Sequence, residues 1–502
     1  MYLGIDVGHS VIKAGVYDYE GNELAIEQEK VALISPKKDY YETSMDELWD
    51  RTRYCIRKLA TKFGNTIKVV GLSGGGNGFY ALDSSLNPIG NGITALDKRA
   101  NYIIEELKRR GEYKILFEKI GMPLLSSFPP ILLRWYKDND RKNYYKIRHI
   151  LNRKDYVRFR LTGEISLELS DACFGLTNVY TQGYDKEIFE LLGVSEMFDV
   201  LPELKDNSYD IAGFITDEAE KETYLKRGTP VVAGAHDACC NTLGVGGISN
   251  NIMVCGGGTF SINLLVVDKP ILNMRWSCEN FVKKGKWMLE GSSPTATVCL
   301  DWFIKNFYEY EENEARKMGR NIYKIVDEKI VSRKTYILFL PFIMGLIWNY
   351  PYKNNVSACF LGIRNEDTKE DMLRSIFEGV TFAHMLHIEE YEKNIGLSEI
   401  RFTGGASKSE VWCQMLADVT KKRVITTTVN ESGCLGAALL GMLGIKEIKC
   451  LEEIPNLIKI KKVYMPKEDY SRKYEIFKES CLALDRIWNE LEKLRSSFSP
   501  SQ

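Results

Sequence analysis

The sequence predicts an α/β protein of two similarly built domains facing each other across a cleft, and three observations carry that expectation. The chain has 502 residues, too many for one core and enough for two domains of roughly 250 residues each. A strand, a glycine turn and a second strand open the chain from Tyr2 to Asp18, and the same design returns from Ile252 to Asp268. In both copies ten residues separate the turn glycine, Gly8 or Gly258, from the closing aspartate, Asp18 or Asp268. Apolar strand patterns then alternate with longer helical periodicities in each half. The division falls between residues 246 and 247, giving domains 1–246 and 247–502.

Taken in order, Met45 to Phe63 has helical periodicity, and Ile67 to Ser73 reads as a buried strand running into Gly74, Gly75, Gly76, Asn77 and Gly78. A glycine cluster at a strand end brings the backbone close to a ligand or to a neighbouring strand. Phe79 to Asp83 is another strand. Asp97 and Arg99 follow where a strand passes into a helix, placed either to hydrogen-bond a polyol or to form a salt bridge or cap. Glu105 to Tyr180 reads as helical covering.

Near the middle, an apolar run from Pro230 enters Gly234-Ala235-His236-Asp237 and then small residues to Gly246. This is a buried strand, a tight turn and a helix whose first turn carries Asp237. The helix dipole and free backbone N–H groups favour an ionised carboxylate there, able to accept a proton at neutral pH. The alternative is a simple N-terminal cap.

In the second half, Asp367 to Tyr391 is a long helix, and Ile400 to Thr403 is a strand leading into Gly404, Gly405 and a helix from Glu410 to Thr420. Strand, glycine pair and helix N-terminus make a nucleotide seat. Glu431 to Leu440 is a small-residue helix suited to close packing beneath such a seat. From Lys467 to Ser496, Tyr470, Tyr474, Phe477, Cys481, Leu484, Trp488 and Leu491 define one helical face docked on the body. The paired glycine hairpins, on opposite walls of one cleft, present backbone N–H groups to phosphate oxygens; taken singly each is an ordinary β-hairpin.

Composition limits the partners. With 67 basic and 68 acidic residues the net charge is −1, so no overall field recommends nucleic acid or an acidic membrane. The twelve cysteines are scattered without CxxC spacing, which suits reduced, buried thiols in the cytosol rather than disulfides or structural zinc. No stretch has the roughly 18–20 apolar residues of a membrane span, so a soluble cytoplasmic protein is expected.

Together these segments resemble the FGGY family of carbohydrate kinases, in the actin, hexokinase and Hsp70 ATPase superfamily. The most specific pieces are Gly234-Ala235-His236-Asp237, the stretch from Gly404 through Ser409 to Asp418, and Phe360-Leu361-Gly362 followed by Ile376-Phe377-Glu378-Gly379. The resemblance implies two ribonuclease-H-like α/β domains around a central cleft, the first holding a sugar, the second ATP, with in-line transfer of the γ-phosphoryl group. It makes Asp237 the catalytic base and Asp6 the carboxylate that holds Mg²⁺, usually through water. Gly8, Ser10 and Lys13 match the first phosphate hairpin, Gly258 and Thr259 the second, and Gly404, Gly405 and Ser409 the adenosine contacts. Gly76, Asn77 and Asp97 match sugar-facing positions. Closure of the domains around both substrates is also implied, and relatives are often dimers.

Several departures bear on the sugar. Gly75 to Gly78 stands where D-xylulose kinases resemble Gln-Met-His-Gly; Phe260 and His9 stand where small residues are usual. Those features, Asn91 to Arg99, and Ser293 to Thr295 preceding Asp301-Trp302-Phe303 are closest to the L-xylulose and 3-keto-L-gulonate kinase branch. The expected activity is therefore phosphorylation of a ketopentose such as L-xylulose or a related keto-sugar acid, with D-xylulose or D-ribulose kinase activity as the runner-up. An actin- or Hsp70-like nucleotide-gated binding protein is the alternative from another class, and a sugar sensor without turnover is the third.

Overall fold

The computed structural model describes residues 1–346 and 355–498. The duplicated hairpins become the centres of two seven-stranded sheets. The first runs Ile211–Phe214, Pro230–Val232, Val69–Gly74, Tyr2–Val7, Val11–Tyr17 and Glu23–Lys30, with Ala235–His236 also paired to Val69–Gly74. The second runs Ile460–Tyr464, Arg423–Thr427, Glu399–Thr403, Ile252–Gly257, Ser261–Val267, Trp287–Ser293 and Ser277–Asn280.

Each sheet has the same wiring. The opening strand pairs antiparallel with its hairpin partner, which pairs antiparallel with the next strand. On its other side two strands run parallel and an antiparallel strand follows. Parallel pairing requires a crossover, and the helices Met45–Phe63 and Lys369–Glu392 supply it in the two halves.

Local sequence explains both crossover helices. Ser44 accepts the Glu47 N–H at 3.2 Å, Asp46 and Glu47 meet the positive end of the dipole, and Leu48, Trp49, Cys55, Ile56 and Leu59 form the buried face. The later helix starts with a reciprocal cap between Thr368 and Asp371.

Between the sheets lie the helices Asp237–Gly244 and Ser432–Gly444. The sequence places the second of these beneath a nucleotide seat. The start of that helix, Glu431 and Ser432, lines the same cavity as Gly404 and Gly405, and its small-residue face lies on the first sheet, where a Cβ at Gly4 would fall 1.8 Å from the Cys434 carbonyl oxygen and one at Gly71 would fall 1.8 Å from that of Ala437. A Cβ at Gly436 would stand 1.9 Å from the Cys240 carbonyl oxygen, so the two helices also touch backbone to backbone. Only glycine permits approaches this close.

The segment 105–180 is mainly helical, as expected, yet it does more than cover. It buries Lys154, whose ammonium lies 2.7 Å from Asp171, 2.9 Å from Asp155 and 3.5 Å from Glu168, all with side chains essentially sealed from solvent. The C-terminal helix Ser471–Phe498 docks through Tyr474, Phe477, Cys481 and Trp488, whereas Leu491, further along the same face, is 42% exposed. Ten of the twelve cysteines are buried, and all are free thiols. Among the described residues no helix is long and apolar enough to cross a membrane.

Gly71→Ala should lower the urea midpoint by an amount corresponding to roughly 2–3 kcal/mol, because backbone must move to admit the methyl group. Gly396→Ala, where nothing lies within 4 Å of the new carbon, should leave the midpoint unchanged. Equal midpoints for the two variants would show that the helix does not press on the sheet.

Candidate active site

The cleft between the sheets contains a cavity of about 1000 Å³, bordered by both halves of the chain. Lys13, Asp237, Gly258, Thr259, Gly404 and Gly405 line it. Six positions picked from sequence therefore meet in one place, although more than 390 residues separate the first from the last, Lys13 and Gly405.

Asp237 owes its position to the turn before it. Gly234 takes φ +79°, and a Cβ there would strike the Leu72 carbonyl oxygen at 2.5 Å, so the chain can swing off the sheet into the helix. His236 occupies the cap position and makes no side-chain cap bond, so Asp237 is the first helical residue and the simple-cap alternative is not what the structure shows. Its side chain keeps 37% of its surface open towards the cleft.

The Asp237 carboxylate is held below the usual range. Burial pushes it up, but the His236 imidazole, with Nε2 2.9 Å from Oδ1, more than offsets that. His236 is correspondingly raised well above its ordinary value: burial lowers it, and Asp237 foremost outweighs that. Its backbone N–H donates to Ser170 Oγ at 2.9 Å, and its ring meets Phe174 edge-on at 5.1 Å.

Asp6 sits on the strand beside this helix and accepts the Ser73 hydroxyl at 2.8 Å. Burial, and then the negative charge of Asp237, push its carboxyl up to about 6. A carboxyl group short of positive charge, next to a second carboxylate, is a donor set that fits a hydrated Mg²⁺. Lys13 faces Asp6 in the hairpin register, but its ammonium is taken by Glu431 at 2.6 Å, at the start of the helix Ser432–Gly444.

The remaining sequence-chosen positions do not line the cavity. Gly8 and Ser10 form the neighbouring hairpin turn, with Ser10 exposed. Ser409 caps the helix Glu410–Thr420, accepting the Trp412 N–H at 3.1 Å and donating to Asp327 at 2.8 Å. Asn77 is 3% exposed and its amide is spent on Ser127 Oγ at 2.6 Å and the Gly78 N–H at 2.8 Å. Asp97 forms the ion-pair alternative, bonded to Arg99 and accepting the Tyr41 N–H at 2.8 Å. Gly76 acts by its size, since a Cβ there would lie 2.3 Å from the His236 ring and 2.6 Å from Phe174.

Sequence reading gave no role to His236, Glu279 or Glu290. Glu290 lines the cavity, and burial followed by Glu279 pushes its carboxyl up to about 8. A lone carboxyl in the apolar strand from Trp287 was the available signal. His9 packs on Gly75, and burial followed by Arg153 lowers its imidazole to about 4.

A carboxylate at a helix start, open to a cleft bordered by glycine turns, can accept a proton from a bound hydroxyl, and comparison with known proteins gives the family. Residues 1–244 match the N-terminal domain of the FGGY family of carbohydrate kinases, and residues 250–445 match its C-terminal domain. The chain is 31% identical to a probable L-xylulose kinase of Pasteurella multocida, over 96% of this chain and 99% of that one. It is 31% identical to the L-xylulose/3-keto-L-gulonate kinase of Escherichia coli K12, over 88% of each. A ligand-bound xylulose kinase of Lactobacillus acidophilus superposes with TM-score 0.87 at 23% identity, covering 99% of both chains, and an ADP-bound Plasmodium falciparum glycerol kinase with 0.85 at 19%, covering 96% and 97%. The fold is the two-domain, actin/hexokinase-like one. The chain belongs to the FGGY family of carbohydrate kinases.

Asp6→Asn tests the electrostatics. The Asp6 carboxyl titrates higher in the fold than the ordinary 3.8, so its charge costs nothing below pH 3.8 and roughly 3 kcal/mol above pH 6 without a divalent ion. The variant should be more stable than the parent towards urea at pH 7.5 in chelator, with the gain vanishing as pH falls through 6 towards 4. A variant no more stable at pH 7.5 would show that Asp6 carries no such cost.

Proposed function

We propose that the protein is an ATP-dependent sugar kinase whose acceptor is a small ketopentose, L-xylulose or a related keto-sugar acid. The observation that carries the reading is the Asp237 carboxylate, held low and open to a cavity that Lys13 of the first hairpin and the glycine turn of the second, Gly258 and Thr259, both border. The choice of sugar leans on likeness to kinases named for L-xylulose and 3-keto-L-gulonate and on the departures at Gly75 to Gly78.

Asp237 takes the proton of the sugar hydroxyl as that oxygen bonds to the γ-phosphorus. The bond from phosphorus to the β–γ bridging oxygen breaks, and ADP leaves with its electron pair. Thr259 offers a backbone N–H to the phosphates beside Gly258, whose own N–H closes the turn on the Phe260 carbonyl at 3.1 Å, and Gly404 and Gly405 border the adenosine end. Mg²⁺, when bound, neutralises phosphate charge, and Asp6 is the residue that would hold it through water. Gly76, with His236 and Phe174, shapes the sugar side, while Asn77 and Asp97 hold that wall in place.

The same reading assigns residues 1–246 to the sugar domain and 247–502 to the ATP domain, in a cytoplasmic protein able to form a homodimer.

Steady-state phosphorylation of L-xylulose, D-xylulose, L-ribulose, D-ribulose, erythritol and 3-keto-L-gulonate should give the highest kcat/KM for L-xylulose. A preference for D-xylulose or D-ribulose would move the activity to the runner-up class. ADP release indifferent to every sugar would favour the nucleotide-gated binding protein. Asp237→Asn should cut kcat on the order of 10² or more while sugar and ATP affinities hold. Near-normal turnover of that variant would remove Asp237 from the role.

A further inference from the structure

The one cationic partner of Asp237 identified above, His236, is itself held from the opposite sheet. Glu279 lies on the strand Ser277–Asn280, 3% exposed, and accepts the Ser277 hydroxyl at 2.6 Å through one oxygen. Its other oxygen faces His236 Nδ1 at 3.4 Å. Both atoms are buried and make no well-aligned hydrogen bond, so the 3.4 Å contact is an ion pair, and the Cys239 thiol also lies beside the ring. Imidazole Nε2 meanwhile meets Asp237 at 2.9 Å, so the three groups form one line, carboxyl, imidazole, carboxylate, running from the second sheet to the cleft.

The strand bearing Glu279 is pinned to the first half of the chain. Asn280 donates to the Leu169 carbonyl at 3.2 Å and to Thr177 at 3.3 Å, and accepts from Gln182 at 3.0 Å. The line is thereby fixed at the cleft floor. A second carboxyl at Nδ1 dictates which ring nitrogens carry protons, and so which atom of His236 the Asp237 carboxylate meets.

We propose that Glu279 is a positioning residue for phosphoryl transfer, acting through His236 to hold that imidazole directed at the Asp237 carboxylate. This rests on the reading of Asp237 as the base. Besides Glu279 and Asp237, the titratable groups around His236 are Cys239 on its own helix, Glu290 on the adjacent strand, Asp171 and Cys173 on the segment behind it, and His9 from the first hairpin turn. Glu290 titrates near 8, as the outer member of the same cluster: His236, Glu279 and Glu290 each place one atom within 4.8 Å of the others.

The chain has five histidines, so ring ¹⁵N spectra of the full-length protein are tractable, with His236→Asn assigning the signal. At pH 7 the His236 ring nitrogen shifts should be alike in the parent and in Glu279→Asp, and displaced in Glu279→Gln, where the group facing Nδ1 has changed. On the best sugar, Glu279→Gln should lose about 10-fold or more in kcat with the KM for ATP within about 2-fold, and Glu279→Asp should recover part of the loss. Ser277→Ala, a milder change should Glu279→Gln fail to fold, should move both readouts the same way by less. An unchanged ring state and kcat in these variants would overturn the proposal. So would a ring signal that responds to added Zn²⁺ alone, which would make the cluster a metal site. The ring state is read without turnover, so failure of Asp237 as base, seen in Asp237→Asn, remains separate from failure of Glu279.

Discussion

The close contact of two small-residue helices, wedged between two sheets, governs the rest of this molecule. The helices Asp237–Gly244 and Ser432–Gly444 meet at Gly436 and Cys240, and the second rests on Gly4 and Gly71 of the first sheet. Backbone-to-backbone packing leaves no side chain to absorb a change in spacing, so interior density is set by the chain itself. The consequence is functional. Both helix N-termini reach the same cleft, one presenting Asp237 and the other following Glu431, which binds Lys13. A looser pair would let the base drift from the opposite hairpin by more than phosphoryl transfer tolerates.

Charge is the second constraint. Asp6, Asp237, Glu279 and Glu290 crowd the cleft floor, and Lys13 is diverted to Glu431. The site answers this in two ways: Asp6 and Glu290 titrate high, and Asp237 stays ionised against His236. Carboxyl groups whose environments push them apart are what divides labour in an acid–base site.

Legibility followed the physics of each feature. Hairpins, crossover helices and the Asp237 turn depend on local periodicity, glycine placement and capping, so Met45–Phe63 and Glu410–Thr420 fall on the expected residues. Asn77, Asp97 and Ser409 were chosen for chemistry at plausible positions, but their partners, Ser127, Tyr41 and Asp327, are 50, 56 and 82 residues away. Nothing local marks those bonds. The buried ions around Lys154 were hidden for the same reason, inside a stretch whose helical pattern looked like covering.

The sequence alone determined the two-domain α/β plan, the duplicated hairpin and the placing of Asp237 at a helix start, because periodicity, glycine turns and a carboxylate at a helix start are properties of neighbouring residues. Tertiary structure decided what those groups face. It tied Asn77, Asp97 and Ser409 to the distant Ser127, Tyr41 and Asp327, laid the small-residue helix on the first sheet, and set Glu279 against His236. Hydrogen bonds and ion pairs between distant segments exist only once both sheets have closed on the helix pair, and no local pattern encodes which partner arrives.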